Sequence, residues 1–166
     1  VQIENYLLPA VRGDRTFSVA FTEPEAGSDA AAITSQATRS NDGWVLNGTK
    51  HFISDGHYSD FFVVTAVTDP NAAAKGISTF IVEKGMPGLI VGRDQPMMGL
   101  RGTSHAEISF HEVRLSPLHL LGQEGQGLKL AFSTLGRVRL AQVAARAVGK
   151  ATMVMKMSLE YARQRR

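Results

Sequence analysis

Between Thr16 and Ser116 the apolar positions come in short runs rich in β-branched and aromatic residues, and each run is closed by a turn signal. The runs cover 17–22, 33–39, 44–54, 61–67, 77–82, 89–92, 107–110 and 113–116. They are separated by Asp42-Gly43, Asp55-Gly56, Asp69-Pro70-Asn71, the stretch 84–88 with its two glycines and proline, and Gly99-Leu100-Arg101-Gly102. Many short strands at this spacing predict an antiparallel sandwich or barrel. Asp42-Gly43 suits a tight hairpin turn, whereas Asn47-Gly48 is read as a bulge inside one long strand. The period then changes. From Leu128 to Ala162 the apolar residues recur at helical spacing with no proline, predicting one long helix, broken if anywhere near Gly136 or Gly149. Ahead of the strands, Tyr6-Leu7-Leu8, Pro9 and the polar 12–15 read as the tail of a helix running into a loop.

The expected architecture is therefore mainly β with flanking α. The tail helix needs an apolar partner, as in a helical bundle, so the expectation is that sequence continues after Arg166 or that an oligomer covers it. The first residue is Val1 rather than Met, which agrees with a piece of a longer chain.

Composition narrows the chemistry. With 43% hydrophobic residues the 166-residue chain can bury a real core, and 18 basic against 15 acidic residues give a net charge of only +3. No basic run interleaved with aromatics argues for nucleic acid, and the arginines 163, 165 and 166 read as a solvated helix end. Cysteine is absent, so disulfides and thiolate metal sites are excluded, and a reducing compartment, the cytoplasm or a mitochondrial matrix, is the default. No apolar run reaches membrane-spanning length, and the five histidines lack ligand spacing, so neither a membrane span nor a metal is expected.

Candidate chemistry gathers at two places. The first is Phe21-Thr22-Glu23-Pro24-Glu25-Ala26-Gly27-Ser28-Asp29, where a strand-like segment runs into a turn. Pro24 ends any ladder, Gly27 allows close backbone approach to a ligand, and Thr22 and Ser28 flank the turn with hydroxyls. An ordinary Pro/Gly turn capped by Ser28 or Asp29 explains the same residues. Glu23 and Glu25 lack the enforced separation of a paired-carboxylate hydrolase. The second place is 48–56, where strand alternation puts Phe52 and Ser54 on one face, an aromatic plane beside a hydroxyl, suited to a flat heterocycle. A cross-strand aromatic pair explains it equally. Gly122, Gly125 and Gly127 fail the phosphate-loop fingerprints because Leu128 and Leu130 stand at the diagnostic positions, and they read as a flexible opening to the helix. Arg137 and Arg139, near the start of that helix, suit a phosphate in a cleft or plain solvent.

In this order these segments resemble the middle of an acyl-CoA dehydrogenase. The resemblance is carried by 21–29, by Asn47-Gly48-Thr49-Lys50-His51-Phe52-Ile53-Ser54-Asp55-Gly56, by 98–104, by 108–115 and by 121–127. It implies an end of an N-terminal helical domain over 1–15, a middle β-domain over 16–120 that binds FAD and acyl-CoA, and over 121–166 the first helix of a truncated C-terminal helical domain. It implies FAD-dependent α,β-dehydrogenation of an acyl-CoA thioester, in which a carboxylate takes the α-proton and the β-hydrogen leaves as hydride. Cofactor contacts fall on Phe21, Thr22, Gly27, Ser28, Phe52 and Ser54, and substrate contacts on Ser28 and Arg139. No residue of the chain matches the family's catalytic base, which is expected beyond Arg166.

The family further implies electron-transfer flavoprotein as acceptor and a homo-dimer or tetramer. The chain departs from common family residues at Asp55 (often Asn), Gly136 (often Asp) and the run Ser104-His105-Ala106-Glu107 (often Ser-Asp-Thr-Arg). Two other functions fit: a flavin-dependent oxidase or monooxygenase on the same fold, and a binding or assembly module that holds no cofactor.

Overall fold

The computed structural model describes residues 1–165 and divides the chain into two units, one from Val1 to Leu128 and one from Lys129 onward. In the first unit a π-helical turn, Ile3–Leu7, leads into α1 (Leu8–Arg12), which Gly13 ends in the left-handed conformation. Seven strands follow: β1 (Phe17–Ala20), β2 (Gln36–Ser40), β3 (Gly43–Ser54), β4 (Phe61–Val67), β5 (Ile77–Glu83), β6 (Leu89–Asp94) and β7 (His105–Leu115). They form one curled sheet in the order β1-β4-β2-β3-β7-β6, with β5 on the other flank of β4. The sheet-rich domain is as expected, but the pairing is mixed. β1 runs parallel to β4 because the chain makes the β2–β3 hairpin between them, while β3–β7, β4–β5 and β6–β7 are antiparallel.

The core lies inside the curl, where Trp44, Leu46, Ile53, Phe62, Val64, Phe80, Ile108, Phe110, Val113 and Leu115 are buried together. The Trp44 and Phe80 rings meet edge-on at 5.3 Å, a favoured aromatic geometry. The N-terminal turn is anchored separately. Tyr6 packs on Phe61 and Ile81 and donates to Glu83 at 2.7 Å, and Arg15 closes the same carboxylate at 3.2 Å.

Two register shifts mark the β3–β7 ladder. At Leu46/Gly48 the extra residue belongs to β7, where Glu112 takes φ +53 and its N–H donates to the Asn47 side chain at 2.8 Å. The expected bulge at Asn47-Gly48 is thus real, and its extra residue is on the partner. It also explains why 107–110 and 113–116 read as two strands. The buried phase of β7 switches from 106, 108 and 110 to 113 and 115, so period-two alternation breaks inside one continuous strand. At Lys50/Ile53 the extra residue lies on β3 itself.

The hairpin turn between β2 and β3 is Asn41-Asp42, with Ser40 paired to Gly43. Gly43 opens β3 because a Cβ there would lie 2.0 Å from the Leu115 carbonyl oxygen. The glycines before the long helix are packed rather than free. Gly125 N–H donates to Ser78 Oγ at 2.8 Å, and a Cβ on Gly127 would lie 2.7 Å from the Ser78 backbone.

That helix, α2 (Gly127–Gln164), runs 38 residues without a break at Gly136 or Gly149. Past Ala131 many of its apolar side chains are exposed, among them Leu140, Val148, Met155 and Leu159. Among the described residues no helix is long and apolar enough to cross a membrane.

Candidate flavin site

The two motifs singled out in the sequence meet at one end of β3. Behind the Thr22 turn lies an ion pair whose members come one from each motif. Lys50, fully buried, donates to Glu23 Oε1 at 2.7 Å. Period-two alternation sets Lys50 on the Trp44–Leu46 side of β3, facing inward, and an inward ammonium requires an anion. Glu23 supplies it, and its second oxygen accepts from the Thr34 N–H at 2.6 Å and the Thr34 hydroxyl at 2.8 Å. Burial works to raise the Glu23 pKa, but the Lys50 charge and the hydrogen bonds from Lys50, Thr34 and Ser35 outweigh it and hold the carboxyl at about 2. Burial dominates at Lys50, pulling its ammonium below the usual lysine value against the opposing pull of Glu23.

Around the pair the backbone is closely tied. Lys50 Nζ reaches the Phe21 carbonyl at 3.2 Å and the Thr65 hydroxyl at 3.3 Å, and His51 N–H donates to the Thr22 carbonyl at 2.8 Å. Glu23 and Ala26 exchange backbone hydrogen bonds across Pro24-Glu25, closing the turn, and buried Ala26 packs with Ile33, Ile77 and Leu128. Gly27, Ser28 and Asp29 then stand exposed. A Cβ on Gly27 would meet nothing within 4 Å, so the chain's own packing does not demand this glycine.

The second bulge decides what β3 presents. Simple alternation would turn Phe52 inward behind Lys50. Instead Phe52 takes φ +56, a costly conformation for a bulky residue, Ile53 occupies the inward position, and Phe52 is 46% exposed. His51 lies against the Phe52 ring at 4.2 Å between centroids. Ser54 is exposed as well, and its carbonyl is held from below by the buried Ser18 hydroxyl at 2.5 Å. Neither the Thr22 nor the Ser54 hydroxyl has a hydrogen-bond partner among the described residues.

The structure therefore brings Phe21 and Thr22 beside the strand end that carries Phe52 and Ser54, and it places Gly27 and Ser28 on the exposed limb of the same turn. Arg139 is exposed on α2 in the second unit. Missed from the sequence were the Glu23–Lys50 pair, whose signal was a lysine at an inward position of a strand, and Ser18, which carried none.

A family model described as the acyl-CoA dehydrogenase middle domain matches residues 18–113, more than half of the chain. The chain belongs to the acyl-CoA dehydrogenase family. It is 38% identical over 99% of its length to the short-chain-specific acyl-CoA dehydrogenase of Megasphaera elsdenii, of which it spans 43%. Two solved structures superpose closely. One, described as PigA with FAD and proline, has a TM-score of 0.91 at 32% identity, covering 99% of this chain and 43% of that one. The other, the prolyl acyl carrier protein oxidase AnaB, has a TM-score of 0.89 at 34% identity, with the same coverage. The chain thus spans under half the length of these relatives. The residues of its site fit a flavin: a strained, exposed aromatic at a bulge, on a strand end whose neighbouring residues Thr22 and Ser54 carry hydroxyls without partners among the described residues.

Proposed function

We propose that this chain forms the flavin-edge site and part of the acyl-thioester cradle of an FAD-dependent acyl-CoA dehydrogenase. The observation that carries the reading is the outward turn of Phe52 at its bulge, on the strand end that the Thr22 carbonyl joins through the His51 amide. Bound FAD supplies the hydride acceptor for an acyl-CoA that also gives up an α-proton. Phe52 offers its ring as a packing surface for the isoalloxazine, and Thr22 and Ser54 offer hydrogen bonds to its polar edge. The backbone at Phe21 lies beside them. Gly27 leaves room for a phosphate or the pantetheine arm, and Ser28 hydrogen-bonds there. Arg139 supplies a charge for the CoA moiety. These residues bind and orient, and none of them is assigned the removal of the α-proton. Electron-transfer flavoprotein as acceptor and a homo-oligomeric assembly follow from the same family reading.

The test is anaerobic addition of a panel of acyl-CoA thioesters to the flavin-loaded protein. Bleaching of the flavin absorbance with release of an enoyl-CoA is expected, and an unbleached flavin across the panel would refute it. A second reading, an oxidase, draws support from the likeness to AnaB. Rapid reoxidation of the reduced flavin by oxygen would favour that reading, and slow reoxidation the dehydrogenase.

A further inference from the structure

Two consecutive carbonyls of the turn, those of Phe21 and Thr22, are gripped by two consecutive residues of β3. Lys50 holds the first through its ammonium at 3.2 Å, and His51 holds the second through its amide at 2.8 Å. The three N–H groups of Lys50 find Phe21, Glu23 and Thr65, so the ammonium is directionally committed. Glu23 in turn binds the returning limb through Thr34 and Ser35. The bulge that turns out Phe52 begins immediately after Lys50.

We propose that Glu23 and Lys50 are positioning residues for the flavin-edge site, their ion pair holding the Phe21–Thr22 backbone in register with the bulge that presents Phe52 and Ser54. The inference rests on the flavin reading above. Stability alone does not call for such a pair, because apolar residues of matched volume often replace buried ion pairs without loss. Apolar residues would nevertheless remove the bond from Lys50 to the Phe21 carbonyl and leave the His51 amide to tie the turn to β3 without it.

The experiment compares Lys50→Met, Glu23→Gln and the double variant with the unmodified protein. FAD affinity, the position of the flavin absorbance band and the thermal midpoint are measured on flavin-loaded protein, and exchange of the His51 amide on flavin-free protein. Each single variant is expected to lose thermal stability and to weaken FAD by about tenfold or more. The double variant, with no lone buried charge, is expected to regain most of the thermal midpoint. It should keep the weakened affinity, a shifted absorbance band and a faster His51 exchange. Recovery of affinity and band together with stability would overturn the proposal, since the pair would then serve folding alone. Failure of the flavin reading shows separately, as absence of FAD binding by the unmodified protein. Unchanged His51 exchange in the double variant would overturn the clamp whatever the flavin result.

Discussion

The β3–β7 ladder holds two bulges that differ in nearly every respect. At the first, Glu112 adopts φ +53, and the Asn47 side chain takes up the amide that the register shift sets free. Its neighbour Gly48, at φ +144, passes so close to Ser35 that a Cβ would lie 2.3 Å from the hydroxyl. The irregularity is repaired within the chain. At the second, Phe52 adopts φ +56 and stands nearly half exposed, and the hydroxyls of the nearby residues Thr22 and Ser54 have no partners among the described residues. Beside it the Ser54 carbonyl is held by Ser18, and the adjoining Phe21–Thr22 backbone by Lys50 and the His51 amide. The lesson is that backbone strain points to function where the side chain it presents is left uncommitted.

The largest test of this contrast is Gly48→Ala, which forces a Cβ into Ser35 at an unfavourable φ and should cost about 2–4 kcal/mol by chemical denaturation. A cost near zero would mean the first bulge relaxes freely. Acid should separate the two bulges. The Glu23 pKa in the fold lies below its ordinary 4.5, so its contribution is fully present above that pH and fades as pH falls toward about 2. Over that window the His51 amide should lose exchange protection before the Glu112 amide, and equal loss at both would undo the distinction.

Smaller effects sharpen it further. Asn47→Ala removes one partly solvated hydrogen bond and should cost about 1 kcal/mol with FAD affinity unchanged. Phe52→Gly relieves the left-handed conformation and should leave stability equal or up to about 1 kcal/mol higher, while FAD affinity falls. Loss of both would make Phe52 an ordinary packing residue.

Much of this was legible in the sequence. Turn signals and apolar runs located the strands because each strand carries its own local chemistry, and the long helix was visible in its 3.6-residue period. What period-two reasoning could not see was phase. Alternation sends Phe52 and Ser54 to the same side, which is right, but to the buried side behind Lys50. Their exposure comes from one extra residue, whose cost is met by contacts distant in sequence. The other bulge, with its extra residue at Glu112, split β7 into two predicted strands in the same way. Gly136 and Gly149 were read as possible breaks because a lone glycine weakens a helix by only about 1 kcal/mol, too little to decide either way. The parallel β1–β4 pairing depends on a chain excursion of some forty residues, beyond any local signal.

The most direct test of the account is a crystal structure of the flavin-loaded protein. It should show the isoalloxazine against the Phe52 ring, with its polar edge within hydrogen-bond reach of Thr22 and Ser54. A flavin bound elsewhere, or a Phe52 ring left open to solvent beside it, would contradict the central claim.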